Sequence, residues 1–140
     1  MILDRKVRVL LEHRLKSYPA VALVGPRQSG KTTLARALST AFFDLEIESE
    51  RLRLDIEWPS LMRKEGLIVF DEAHRCPELF TRLRGAIDVE RKRKNRFLLL
   101  GSISPALMHH VSESLAGRLS VIELSPFILP ELSNTPIMGH

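Results

Sequence analysis

Ala20-Val21-Ala22-Leu23-Val24-Gly25-Pro26-Arg27-Gln28-Ser29-Gly30-Lys31-Thr32-Thr33-Leu34 is the stretch that decides how this chain reads. Five apolar residues run into a segment with glycine at its first and sixth positions and Lys31-Thr32 directly after, the spacing G-x-x-x-x-G-K-[ST]. The chemistry that needs this pattern is phosphate binding. A triphosphate wants several backbone N–H donors converging on it, and glycines let the chain curl so that the amides point inward. A helix starting near Gly30 adds its unpaired amides and the positive end of its dipole. On this reading residues 25–33, namely Gly25, Pro26, Arg27, Gln28, Ser29, Gly30, Lys31, Thr32 and Thr33, cradle the phosphates. Lys31 reaches the β- and γ-phosphates and the Thr32 hydroxyl ligates Mg²⁺.

Working outward, short apolar runs alternate with longer charged segments. Residues 20–24, 41–45, 67–70, 97–100 and 121–124 read as strands in continuous burial, while 32–39, 48–64 and 77–91 read as helices, the second broken at Pro59. Continuous apolar strands separated by helices predict a parallel sheet covered on both faces, an α/β fold, because each parallel crossover needs a helix. Residues 1–18 place Leu3, Val7, Leu10, Leu11 and Leu15 at helical spacing among charges and form an expected amphipathic N-terminal helix. The core is expected over 19–125. Residues 126–140, with Pro126, Pro130 and Pro136, read as a tail leading to a C-terminal region absent from the chain.

The run 67–70 ends in Asp71-Glu72, at the carboxyl end of a strand, where ligands of open α/β sheets gather. Asp71 is the expected second Mg²⁺ residue and Glu72 the expected general base for the attacking water. The pair is the natural partner of the loop.

Composition narrows the classes. At 140 residues the chain has room for one domain and not for two large ones. Its single Cys76 excludes an internal disulfide framework and reads as an inert packed thiol, suited to a cytoplasmic location. No apolar run approaches the ~20 residues needed to span a bilayer. Charge is +4, from 21 basic and 17 acidic residues, which permits an anionic partner without requiring one. The basic run 91–96 is either a solvated loop or a patch that touches nucleic-acid phosphates.

Taken together, the loop, Phe70-Asp71-Glu72-Ala73-His74-Arg75-Cys76-Pro77-Glu78-Leu79, Arg96-Phe97-Leu98-Leu99-Leu100-Gly101-Ser102 and Ser112-Glu113-Ser114-Leu115-Ala116-Gly117-Arg118 resemble the bacterial and archaeal AAA-type P-loop ATPases with a GPRQxGKTT loop. The resemblance runs from about residue 10 to 132. It implies ATP with Mg²⁺ as ligands, a three-layer fold and a five-stranded sheet of order 5-1-4-3-2. Ser102 then matches a sensor of the γ-phosphate, the competing role being a helix or turn cap. Arg118 matches an arginine that contacts phosphate within the chain or across a subunit boundary, the competing role being an ordinary surface residue. The family usually continues into a winged helix and a nuclease-like domain, so the chain is expected to be an ATP-binding core, with a protein partner or self-association open. His74 departs from the family pattern, with little expected consequence for phosphate chemistry. Two rivals remain: a nucleotide-binding switch without useful turnover, and a fragment of a helicase, since Asp71-Glu72-Ala73-His74 spells the acidic box of one helicase class.

Overall fold

The computed structural model describes residues 5–124. Its elements are α1 (Arg5–Ser17), β1 (Ala20–Val24), α2 (Lys31–Leu38), β2 (Ala41–Asp44), α3 (Glu48–Arg63), β3 (Ile68–Asp71), a 3₁₀ turn (Ala73–Arg75), α4 (Glu78–Val89), β4 (Phe97–Gly101), α5 (Pro105–Ser114) and β5 (Leu119–Glu123). All strand pairings are parallel, in the order β2-β3-β4-β1-β5, which is the expected 5-1-4-3-2 read from the other edge. The expected tail 126–140 lies outside the described residues.

Alternation along the strands sorts the core into two layers. Ala20, Ala22, Val24, Phe70, Phe97 and Leu99 face one side, where Leu54 and Leu61 of α3, Leu79, Phe80 and Leu83 of α4, and Leu107 and Val111 of α5 cover them. Val21, Leu23, Val69, Leu98 and Leu100 face the other, under Val7, Leu11 and Leu15 of α1 and Leu34 and Ala35 of α2. Phe43, Phe70 and Phe97 line up across three neighbouring strands, with ring centroids 6.0 and 6.2 Å apart. Phe43 pairs with Phe70 in register, whereas Phe97, at the amino end of β4, pairs with Ile68 and meets Phe70 diagonally.

Three expectations change. Continuous burial holds along β1 and β4, but β2 and β5 are edge strands with mixed burial. Alternation at the edge hid the start of β5, which begins at Leu119 rather than 121. Pro59 does not break its helix: α3 runs through it. Proline costs about 3 kcal/mol in a helix interior, and the buried anchors on either side, Leu54 and Leu61, together with Arg53, outweigh it. The Arg53 guanidinium donates to the Phe42 carbonyl at 2.8 Å, pairs with Glu50 at 2.9 Å and lies 4.0 Å over the Phe43 ring, clamping α3 onto β2.

The sequence reading also passed over α5. Ser104 caps it by accepting the Leu107 N–H at 3.1 Å, and Pro105 opens its first turn.

Candidate functional site

The strand order brings the carboxyl ends of β1, β3 and β4 side by side, with Val24 beside Gly101 and Leu100 beside Asp71. The loop leaves β1 there. Its first amide, Gly25 N–H, donates to the Gly101 carbonyl at 3.0 Å and so anchors the loop to β4. Two left-handed residues then curl it: Gln28 at φ 60° and Gly30 at φ 91°. Gly30 sits at the N-terminus of α2 in the conformation that glycine adopts without cost. The first turn of α2 therefore presents free amides to a cavity of about 540 Å³ lined by Gln28, Ser29, Gly30, Lys31, Thr32 and Thr33.

Lys31 is only 4% exposed, and its ammonium donates to the Pro26 carbonyl across the loop at 2.9 Å. Burial pushes its pKa below the usual lysine range, the Asp71 and Glu72 charges pull it back up, and Arg27 lowers it further. Ser29 Oγ is buried with no hydrogen-bond partner among the described residues. An orphaned hydroxyl and a buried ammonium facing one cavity are what an anion with many acceptor oxygens would satisfy.

Asp71 ends β3 directly beneath α2, and the Thr32 hydroxyl donates to its Oδ2 at 3.3 Å. Two hard oxygen donors thus converge at the cavity edge, a set that suits Mg²⁺, which takes few protein oxygens. Burial raises the Asp71 pKa above the usual carboxylate range and the Asp44 charge raises it further, while the Glu72 N–H, donating at 2.9 Å, Thr32 and Lys31 lower it. Glu72 itself stands at φ 54°, ψ 49°, a left-handed conformation that costs a non-glycine residue about 1 kcal/mol or more and clusters at functional sites. Ser102 follows Gly101 on the same rim, half-buried. The cap of α5 is Ser104 and not Ser102.

Arg118 is not brought to this rim. It precedes Leu119, which pairs with Ala20 at the amino end of β1, so at ~3.3 Å per residue it lies roughly 15 Å or more from the loop. There it grips Asp88 through two bonds of 2.8 and 3.0 Å. Contact with phosphate inside its own chain is thereby removed.

The basic run 91–96 also lies at the amino end of the sheet, away from the loop. Arg96 is 3% exposed; it donates to the Ala86 carbonyl at 3.0 Å and stacks 4.7 Å from the Phe97 ring centroid. Arg93 donates to the Met62 and Lys64 carbonyls, and Arg91 pairs with Asp88. Arg93 and Arg96 therefore fasten the fold, while Arg91, Lys92, Lys94 and Asn95 are exposed on a loop, as the solvated-loop reading expects. Cys76 is buried and its pKa is pushed up to about 11, first by that burial and then by Glu78, leaving an inert thiol.

Two site residues escaped the sequence reading. Asp44 ends β2 in register with Asp71, doubling the negative charge there. Its signal is the repeated ending Phe-Asp in Ala41-Phe42-Phe43-Asp44 and Ile68-Val69-Phe70-Asp71. The other is His74, dismissed above, whose Nδ1 lies 3.8 Å from Glu72 Oε1.

Comparison with known proteins agrees with this architecture. A protein of Mycobacterium tuberculosis and one of Mycobacterium bovis, both described as uncharacterized, are 39% identical to this chain over 140 residues; the match takes in 96% of the chain and 32% of each relative. The chain therefore spans about a third of the length of these curated relatives. Among solved structures, PCH-2 of C. elegans shares the fold at a TM-score of 0.51, with 15% identity over 87% of this chain and 42% of that one. The sequence profile of the AAA domain family matches residues 17–133, from the end of α1 through β5 and beyond. With a match over most of its length, and a parallel sheet that sets the loop against the acidic pair, the chain belongs to the AAA domain family of ATPase-type nucleotide-binding proteins.

Proposed function

We propose that this chain binds ATP with Mg²⁺ in the loop 25–33 and hydrolyses its β–γ phosphoanhydride bond. The observation that carries the reading is the buried Lys31 ammonium beside the Thr32–Asp71 bond, at the carboxyl end of a parallel sheet. The buried ammonium carries three N–H donors, and the Pro26 carbonyl takes one of them. Facing a phosphate, it supplies charge in a site shielded from water. Thr32 and Asp71 would hold Mg²⁺, which when bound offsets charge on the β- and γ-phosphate oxygens.

The remaining roles belong to the chain's own groups. The loop amides and the N-terminus of α2 orient the phosphates. Glu72 accepts the proton of the attacking water, and Ser102 reads the γ-phosphate from the end of β4. Arg118 acts across a boundary between copies, a role supported by its place at the far end of its own sheet. Self-association and a cytoplasmic location belong to the same proposal, the latter supported by the lone buried thiol. No helix among the described residues is long and apolar enough to cross a membrane. AAA membership leaves the helicase-fragment reading without support.

The decisive experiment pairs nucleotide binding with turnover. Lys31→Ala should lose tight ATP binding, whereas Glu72→Gln should keep binding and lose hydrolysis by at least a hundredfold, the usual weight of a general base. ATP binding by Lys31→Ala at the parental affinity would overturn the loop assignment, and unchanged turnover by Glu72→Gln would overturn the base.

A further inference from the structure

Past Asp71 the chain turns sharply. Glu72 takes its left-handed conformation, its N–H is tied back to Asp71 Oδ1 at 2.9 Å, and Ala73–Arg75 make a single 3₁₀ turn. This turn carries the His74 ring back to Glu72. Nδ1 lies 3.8 Å from Glu72 Oε1, with the two side chains 26% and 13% exposed. The same nitrogen is buried and has no partner at hydrogen-bond distance among the described residues.

The ring also lies against the end of β4. A Cβ built on Gly101 would stand 3.8 Å from Nδ1, so the imidazole edge lies close to that glycine. Gly101 in turn accepts the first amide of the phosphate loop and precedes Ser102. His74 thus stands where the acidic pair, the sensor strand and the loop meet.

A neutral imidazole offers one donor and one acceptor nitrogen, and the group that faces each nitrogen selects the tautomer. Here a carboxylate faces Nδ1, which favours the proton on that nitrogen. Closing 3.8 Å to a bond of about 2.8 Å takes a small side-chain rotation and satisfies a buried polar atom. The donor would occupy Oε1 and leave Oε2 for the proton of the attacking water. A free glutamate samples several rotamers, and most of them do not face that water.

We propose that His74 is the positioning residue for Glu72: its Nδ1–H donates to Glu72 Oε1 and holds the carboxylate in the orientation that turnover needs. This rests on Glu72 being the base, as argued above. It departs from the sequence-based expectation that position 74 has little consequence for phosphate chemistry.

The test uses the full chain with His74→Asn, His74→Gln and His74→Leu. Asparagine puts an amide nitrogen near the place of Nδ1, and glutamine puts one near Nε2. His74→Leu and His74→Gln should lower kcat for ATP about tenfold, the usual weight of a supporting residue, with KM within twofold. His74→Asn should keep most of the parental kcat. In a Glu72→Gln background, His74→Leu should cause no further loss, because the two residues act as one unit. Equal losses for His74→Asn and His74→Gln, or a full further loss in that background, would overturn the proposal.

A second measurement does not depend on turnover. The ¹⁵N shifts of the His74 ring should show the Nδ1–H tautomer in the parent and its conversion to Nε2–H in Glu72→Ala; a parent already in the Nε2–H form would sink the pairing. A chain without turnover whose spectrum shows Nδ1–H dependent on Glu72 supports the pairing and counts against the ATPase reading instead.

Discussion

Replacing Gly25 and Gly85 separately by alanine should move stability in opposite directions. Gly85 lies exposed inside α4, and an added Cβ meets nothing within 4 Å. Alanine there gains the helix-propensity difference of about 1 kcal/mol. With an unfolding entropy of roughly 2.1 cal/mol/K per residue, that raises Tm by about 3 °C for a chain of this size. Gly25 is the opposite case. Its φ is not among the left-handed ones, so on backbone grounds alone alanine would also stabilise, by about 0.4–1 kcal/mol. But its new methyl would stand 2.7 Å from the Leu124 Cβ and 3.3 Å from the Leu124 carbonyl, both on the chain leaving β5. Real Cβ atoms do not approach so closely, and overpacking of this kind costs about 1–3 kcal/mol. At the upper end of that range the contact term wins by about 2.6 kcal/mol, and Tm should fall by up to about 9 °C. Urea denaturation with linear extrapolation would show the change in midpoint at constant m. In a Leu124→Gly background most of the Gly25→Ala penalty should disappear, since the nearest obstacle is gone. A Gly25→Ala protein at least as stable as the parent would refute the claim that β5 presses on the start of the loop.

Asp44→Asn should change the acid behaviour of the site. The Asp71 pKa is raised by burial first and by Asp44 second, so the folded chain holds a proton that the unfolded chain releases, and stability falls as pH rises from the ordinary carboxylate value through the raised one. Removing the Asp44 charge should shrink that fall and leave the apo chain more stable at neutral pH, as unfolding curves between about pH 4 and 7 would show; an unchanged pH profile would separate the two carboxylates. Arg96→Ala should destabilise by about 2–3 kcal/mol through a cavity and an unpaired Ala86 carbonyl. Arg96→Met, which keeps the volume over Phe97, should cost less, and equal losses for the two would put the whole effect in the lost hydrogen bond.

Much of the site was legible because its chemistry is local. The loop's glycines, Lys31 and Thr32 are contiguous, and their geometry follows from a strand running through a tight curl into a helix. Asp71-Glu72 is legible for a similar reason, since an apolar run that stops at two carboxylates marks a strand end. Apolar runs also located the five strands, most securely where burial is continuous, as in β1 and β4. The edge strands blurred because half of each is wet, and α5 blurred because its apolar spacing is sparse, with only Leu107 and Val111 buried.

What the sequence by itself determined is therefore the glycine-curled loop of 25–33, the acidic pair at a strand end and the parallel α/β class, each a consequence of neighbours along the chain. Tertiary structure decided which distant residues share the rim. Seating β4 between β1 and β3 brings Gly101 and Ser102 to the loop, and strand register sets Asp44 beside Asp71. The same parallel geometry carries Arg118 to the opposite end of the sheet, because consecutive strands point the same way and each crossover returns the chain to the amino edge. Arg96 turns inward because its guanidinium finds a carbonyl and a ring beneath α4, and His74 meets Glu72 because a left-handed residue folds the chain back on itself. Apart from the local approach of His74 to Glu72, these proximities depend on how layers stack after the local elements have formed.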